Sequence, residues 1–314
     1  MTVKQAIPKT ERFGGLIGGT PEMKKVFEMI ARAAEVSVPV LIVGETGTGK
    51  ELVAREIHAR SQRKEGPFVA VNTGALSAEL VASELFGHVK GAFTGAMEAR
   101  EGHFSEANQG SLFLDEVATM PERVQIVFLR VLEDGTFRPV GANQDKQVDV
   151  RVLAATNADL REVVEVGRFR EDLLQRLTVF RIILPPLRGH LEDLPMLAYH
   201  FLESISKEVA IDVTRISDTA MDSLARYSWP GNVRELKNAI AQAAIMARHG
   251  TIRPEHIPPR ITNCGMTSPV DADQNSENRE EPATPDSQER LSAFLKAHEQ
   301  MEGYFVSPMG LRME

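Results

Sequence analysis

Short apolar runs alternate with amphipathic stretches from Phe13 to about Leu187. Val38–Val43, Pro67–Val71, Ser111–Leu114, Val150–Ala155 and Phe180–Leu184 are rich in Val, Ile, Leu and Phe, and each reads as a buried strand. Between them, Glu51–Gln62, Ser77–Phe86, Glu122–Glu133 and Leu160–Leu177 carry helical patterns. Alternation of this kind needs right-handed crossovers, and it predicts an α/β domain with a mostly parallel five-stranded sheet sandwiched by helices. Pro185-Pro186 closes that domain. Glu192–Glu208, Ser217–Tyr227 and Val233–His249 then read as three helices without strands, a small all-α second domain. The expected organisation is a loose, polar Met1–Arg12, an α/β domain from Phe13 to Leu187, a helical domain from Arg188 to Ile261, and a tail from Thr262 to Glu314.

Composition sharpens this picture mainly at the tail. Net charge is −8, and ten acidic against four basic residues from Thr262 onward place −6 of it there. The body is therefore close to neutral and lacks the basic block that grips nucleic acid by charge alone. Thr262–Ser287 is Pro-, Ser-, Asp- and Asn-rich and is expected to be disordered, and Gln288–Gln300 could form one short helix. The apolar runs are far too short to span a membrane, and Met1–Arg12 is too polar for a signal peptide. A lone Cys264 excludes an internal disulfide, which makes a reducing, cytoplasmic setting the expectation.

The chemistry starts at Gly44-Glu45-Thr46-Gly47-Thr48-Gly49-Lys50, which follows the Val38–Val43 strand and opens a helix. Strand, glycines, lysine and helix start together form a P-loop. Glycines let successive backbone N–H groups face phosphates, the helix N-terminus adds its dipole, and Lys50 reaches the β and γ oxygens of ATP. The residue after the lysine is ordinarily Ser or Thr, a Mg²⁺ ligand; here it is Glu51.

Ser111-Leu112-Phe113-Leu114-Asp115-Glu116 is an apolar strand that delivers two carboxylates at its end. Asp115 is placed to hold Mg²⁺, directly or through water, and Glu116 to polarise the attacking water. The bland alternative, a solvated strand end, is weakened by the upstream P-loop. Asn72 and Asn157 follow two further strands. Each alone is more often a turn former, but in open α/β sheets ligands bind beyond the carboxyl ends of strands. Lys50, Asn72, Asp115, Glu116 and Asn157 are thus expected on one rim.

Gly44–Glu51 as GETGTGKE, Gly91–Ala96 as GAFTGA, Ser111–Glu116 as SLFLDE and Trp229–Asn238 as WPGNVRELKN resemble the AAA+ domain of sigma-54-dependent transcriptional activators. The resemblance runs from about Phe13 to Arg260. It implies a P-loop AAA+ fold with a helical lid, ATP hydrolysis with Mg²⁺, and a hexameric ring. It implies that Asn72 restrains Glu116 until the γ-phosphate is sensed, that Asn157 is a first sensor, and that Arg234 is a second sensor in the lid. Arg170 and Arg176 match arginine fingers that reach a neighbouring subunit's ATP. Six residues apart, they would sit about 240° around a helix and could not share one face; pairing with Glu171 and Asp172 is the plainer alternative. In Gly91-Ala92-Phe93-Thr94-Gly95-Ala96, small residues bracket one aromatic and one hydroxyl, as suits a mobile loop with an apolar tip. The resemblance implies that this loop, through Phe93 and Thr94, presses on sigma-54 bound to RNA polymerase.

In that family Glu after the loop lysine is usual, so Glu51 supports membership. Three departures stand out. The family often has Leu-Arg-Glu-Arg where this chain has Leu187-Arg188-Gly189-His190, and Gln109 stands where glycine is common. No receiver domain precedes Phe13 and no helix-turn-helix follows Arg260, which makes direct DNA binding by this chain doubtful. The expected function is ATP-driven remodelling of the closed sigma-54 promoter complex. The alternatives are another AAA+ remodeller, such as a clamp or helicase loader, against which GAFTGA counts, and a regulatory AAA+ subunit that depends on partner activators.

Overall fold

A computed structural model describes residues 12–75, 78–93 and 95–263. Thr94 and the tail from Cys264 onward lie outside the described residues, as does nearly all of the polar N-terminus. The first elements are a small antiparallel pair, β1 (Arg12–Phe13) and β2 (Leu16–Ile17), and the helix α1 (Pro21–Glu35). There follow β3 (Val40–Val43), α2 (Lys50–Arg60), β4 (Phe68–Asn72), α3 (Ala78–Phe86), α4 (His103–Glu106) and β5 (Ser111–Asp115). Next come α5 (Glu122–Asp134), a short antiparallel pair β6 (Thr136–Phe137) and β7 (Lys146–Gln147), and then β8 (Arg151–Thr156). The domain finishes with α6 (Leu160–Glu165), α7 (Glu171–Leu177) and β9 (Phe180–Ile183).

Five of these strands form one parallel sheet in the order β4-β5-β8-β3-β9. Alternation along each strand sends side chains to opposite faces, so both faces need cover. Ile42, Phe113, Leu153 and Ile182 pack with Ile30 of α1 and Ile57 of α2. Leu41, Leu114, Val152 and Ala154 pack on the other face with Leu85 of α3, Phe128 of α5 and Leu173 of α7. Each fully buried Val, Leu, Ile or Phe contributes roughly 1.5–3 kcal/mol, which is why the strands read as unbroken apolar runs.

The five strands fall where the sequence pattern places them, within a residue or two at the ends. The expected single helix Leu160–Leu177 is two helices. Gly167 adopts φ +70°, the chain reverses, and Phe169 is buried at 4% exposure in the turn so made. The helix α1, absent from the sequence-based reading, has Pro at its first turn and a strong apolar stripe through Met23, Val26, Phe27 and Ile30.

A second unit of structure follows the connector. It comprises α8 (Leu194–Glu208), β10 (Asp212–Ile216), α9 (Asp218–Arg226), α10 (Asn232–Ala247), β11 (His249–Ile252) and a final turn α11 (Pro259–Thr262). Its three main helices are those the pattern predicts. In place of a purely helical region, β10 after α8 and β11 after α10 add a parallel two-stranded ribbon, held by the buried Val213, Ile216 and Ile252. No helix among the described residues is long and apolar enough to cross a membrane.

Candidate active site

The turn between β3 and α2 is shaped by its glycines. Gly47 and Gly49 adopt φ +81° and +96°, which side chains resist, and Gly49 is the left-handed residue from which α2 starts. Gly44 is glycine for space, because a Cβ there would lie 2.9 Å from Leu184 and 3.0 Å from the Thr48 hydroxyl. Lys50, 8% exposed, folds back and donates to the carbonyls of Gly44 (3.0 Å) and Glu45 (3.1 Å). Burial lowers its pKa from the usual lysine value, Asp115 and Glu116 oppose that shift, and Arg234 reinforces it. Those four charged groups therefore share one neighbourhood.

The carboxylates are set by strand pairing. Asn72 lies opposite Asp115 in the β4–β5 register. Asp115 accepts from the Glu116 N–H at 2.9 Å, and Glu116 sits in the left-handed region at φ +58°. A glutamate held at such a φ is strained and persists only where surrounding contacts fix it. Here the Thr73 hydroxyl lies within donating distance of the carbonyls of both Asp115 (2.9 Å) and Glu116 (3.0 Å). Gly74 completes the cradle. Asn72 accepts from its N–H at 2.8 Å, and a Cβ on Gly74 would overlap the Glu116 carboxylate. Asn72 and Glu116 thus meet over one glycine. Asn157 donates to the Thr46 hydroxyl at 3.2 Å, so it too reaches the phosphate loop.

From the second unit, the Arg234 N–H donates to the Gly47 carbonyl at 3.2 Å. Lys50, Asp115, Glu116, Asn72, Asn157 and Arg234 are therefore assembled at the carboxyl edge of the sheet. Two loop side chains turn elsewhere. Glu51 pairs with Arg55 on the exposed face of α2 at 2.7 Å. Glu45 faces the connector, bound by Arg188 and Asn232.

Arg170 and Arg176 are not at this chain's own site. Arg170 precedes α7 as its N-cap residue and pairs with Asp172 at 2.7 Å, while Arg176 in the last turn pairs with Glu133 at 3.0 Å. With Arg170 outside the helix, the helical-wheel separation expected of the pair does not apply. Arg176 is solvent-exposed and Arg170 partly so, and surface ion pairs of this kind are weak enough to exchange partners. Beside them, a cavity of about 650 Å³ opens between β3, β8, α6 and α7, lined by Val43, Thr156, Asp159, Arg161, Glu171 and Gln175 among others.

A divalent cation here would depend on phosphate oxygens. Among the described residues no group of three or more His, Cys, Asp or Glu could hold a metal ion. Two adjacent carboxylates facing a phosphate loop do suit Mg²⁺, which commonly takes one or two carboxylates plus substrate phosphates. Glu51, turned toward Arg55, does not join that donor set.

The loop Gly91–Ala96 lies apart from this rim. Gly91 donates to the Ala96 carbonyl at 2.9 Å and Ala96 to that of Phe93 at 3.0 Å, a turn closed on itself. Phe93 is 41% exposed, with its ring centroid 5.0 Å from that of His88. His88 is in turn bonded to Ser83 of α3 at 2.7 Å. Gly91, Phe93 and Gly95 are exposed, as the composition predicts, whereas Ala92 is half-buried and Ala96 is buried.

A phosphate loop on a parallel sheet, two carboxylates on the neighbouring strand and a helical unit docked over the loop define the AAA+ class of P-loop proteins. The AAA+ ATPase lid domain family matches residues 188–274, and the sigma-54 interaction domain family matches residues 16–183. This chain belongs to the sigma-54 interaction domain family. It is 47% identical over 257 residues to the regulatory protein AtoC of Escherichia coli, covering 82% of this chain and 56% of that one. It is 45% identical over 273 residues to the transcriptional regulatory protein XylR of Pseudomonas putida, covering 86% and 47%. Among solved structures, NtrX from Brucella abortus in complex with ATP superposes with a TM-score of 0.75 at 34% identity, covering 92% of this chain and 61% of that one. The chain spans about half the length of the curated relatives it matches.

Residues that the sequence reading does not single out also shape the site. Thr73 and Gly74 have no motif role there, and Arg188 and Asn232 enter it only as members of the Leu187–His190 departure and the WPGNVRELKN stretch.

Proposed function

We propose that this chain binds ATP with Mg²⁺, hydrolyses it, and uses the cycle to remodel the closed complex of sigma-54 and RNA polymerase. The observation that carries the reading is the buried Lys50, folded into the phosphate loop with Asp115 and Glu116 acting on its charge. The backbone N–H groups of Gly47–Lys50 bind the phosphates, and Lys50 leaves its carbonyl partners for the β and γ oxygens. Asp115 would hold Mg²⁺, which when bound neutralises charge on the transferring phosphoryl group. Glu116 orients a water and accepts its proton as the new P–O bond forms and the bond to the leaving ADP oxygen breaks. Asn72, beside Glu116 over Gly74, restrains that carboxylate, and Asn157 and Arg234 report on the γ-phosphate from the sheet edge and the lid.

Arg170 and Arg176 act in trans on this reading, exchanging Asp172 and Glu133 for a neighbouring subunit's nucleotide. A trans arginine contributes roughly 10³–10⁵ in rate in related phosphoryl transfers, so activity requires an oligomer, here a hexameric ring. Gly91–Ala96 makes the contact with sigma-54 through Phe93 and Thr94. The domain division proposed is Phe13–Leu187 for catalysis and Arg188–Ile261 for the lid.

Steady-state ATP hydrolysis measured across protein concentration, with and without a sigma-54 promoter complex, tests this. Specific activity should rise with concentration, and promoter opening should require ATP. Activity independent of concentration would remove the trans arginines. A chain that hydrolyses ATP but never opens sigma-54 promoter DNA would remove the remodelling role.

A further inference from the structure

A carboxylate inside a phosphate loop is an electrostatic liability, because it repels the triphosphate unless it is neutralised or turned away. Glu45 is both. Its two oxygens accept from the two terminal nitrogens of Arg188, one of them at 2.8 Å, and one oxygen also accepts from the Asn232 side-chain amide at 3.1 Å. Arg188 chiefly, and Asn232 after it, hold the Glu45 carboxyl down at about 2, so it is ionised under any working condition. Arg188 belongs to the one-turn segment Leu187–Gly189 that joins the sheet to the lid, immediately after Pro185-Pro186.

Asn232 makes this ion pair a three-way junction. It is fully buried at the start of α10, in a left-handed backbone conformation at φ +53°. Its amide nitrogen donates to Glu45 and, at 3.0 Å, to the Thr46 carbonyl, while its amide oxygen accepts from the Leu187 N–H at 2.8 Å. One side chain thereby ties phosphate loop, connector and lid together. Two residues on, the Arg234 N–H caps the Gly47 carbonyl. The fit leaves no slack, since a Cβ on Gly47 would overlap the Gly231 carbonyl oxygen.

The direction of these bonds decides what the junction does. A loop that turns its N–H groups inward to phosphate turns carbonyls outward, and the lid supplies donors to the outward carbonyls of Thr46 and Gly47. Phosphate binding and lid docking therefore favour the same loop conformation, and two events that favour one state are coupled reciprocally. We propose that Glu45, Arg188 and Asn232 are positioning residues that couple occupancy of the phosphate loop to the seating of the lid. This inference rests on the reading of the site as an ATPase and goes beyond it by assigning the connection between its two halves.

Arg188→Ala breaks the junction without touching any group that faces phosphate. It should raise both the Kd for ATP and KM by roughly 5–150-fold, the usual range of coupling between sites, with a smaller change in kcat. In the parent chain nucleotide should protect the backbone amides of residues 231–236 from hydrogen exchange, and in Arg188→Ala that protection should be lost. Arg188→Lys, which keeps the charge but loses the two-pronged geometry, should recover part of both effects. Glu45→Gln, the same size and uncharged, provides a variant that keeps the loop's shape and should show the same pattern more weakly. The exchanged pair Glu45→Arg with Arg188→Glu should bind ATP better than either single change. If the parent binds ATP and protects 231–236 while Arg188→Ala and Glu45→Gln match it within about twofold, well below that coupling range, the junction is merely structural and the inference is overturned. A parent chain that binds no ATP overturns the ATPase reading itself, and this inference with it.

Discussion

Two glycine-rich loops in this molecule are glycine-rich for different reasons. In the phosphate loop the space beside the backbone is filled: Leu184 and Thr48 press on Gly44, and the Gly231 carbonyl sits where a Cβ of Gly47 would lie. In the loop from Gly91 to Ala96, nothing lies within 4 Å of a Cβ at either Gly91 or Gly95, and only their φ of +80° and +104° calls for glycine. The first loop is moulded by the parts around it. Among its described residues, the second is shaped chiefly by its own turn, by the contact of Phe93 with His88 and by Ala92 lying against Gly141. Similar composition thus serves a cradle in one place and an exposed turn in the other. Function should divide along the same line.

The largest effects should come from the cradle. Lys50→Ala is expected to abolish measurable nucleotide binding by calorimetry. Glu116→Ala should still bind ATP while hydrolysis falls roughly 10²–10⁴-fold, the usual contribution of a positioned general base. Turnover at the parent rate in Glu116→Ala would take the base assignment away.

Next in size is a pair of matched glycine substitutions. Gly47→Ala should weaken ATP binding and lower the Tm, because loop and lid cannot both keep their places. Gly95→Ala should cost only its backbone strain, roughly 1–2 kcal/mol, and leave ATP binding alone. Equal effects on ATP binding from the two would erase the distinction between cradle and turn.

Phe93→Ala sharpens the comparison from the other side. ATP binding, hydrolysis and assembly should stay near parent values, while capture of sigma-54 in the presence of a transition-state analogue is lost. Simultaneous loss of ATPase activity would make the loop part of the catalytic fold.

The smallest effect is on stability against pH. His190 is buried beside Asp193 at 3.2 Å, and burial lowers its pKa below the ordinary 6.5 despite that carboxylate. Burial lowers His58 and His200 in the same way. A histidine depressed in the folded state binds its proton more readily when unfolded. Stability should therefore be full above pH 6.5 and decline as pH falls below it toward the folded values. Urea midpoints at pH 7 and at about 5.5 should show that decline, and His190→Asn should flatten part of it. A midpoint unchanged between the two would mean these histidines are not held neutral.

Much of this architecture was legible along the chain. Buried parallel strands are continuous apolar runs, so β3, β5 and β8 announce themselves, and the residues at their ends name the rim. Local chemistry was also legible where it repeats a fixed spacing, as from Gly44 to Lys50. The break between α6 and α7 was not, because Gly167 is tolerated within a helical pattern and only the burial of Phe169 requires the turn. Nor were the partners of Glu45. Arg188 lies 143 residues away and Asn232 187 away, and no local pattern encodes such a pairing. The same is true of Asp193, whose carboxylate accepts from the Gly19 N–H and the Thr20 hydroxyl, both at 2.7 Å, far from it in sequence. The departure at Gly189-His190 leaves Arg188 on the phosphate loop and buries His190 against that same aspartate.

Gln109 and Glu116 flank one strand, and both hold a left-handed backbone that neither residue type favours, at φ +63° and +58°. A library of this chain selected for heat resistance alone would enrich glycine or asparagine at both positions, since each substitution relieves strain. At 109 the hardier survivors should remain fully active. At 116, on the proposed mechanism, they should be inert, a small concession of durability that the chain makes at one place for the sake of turnover.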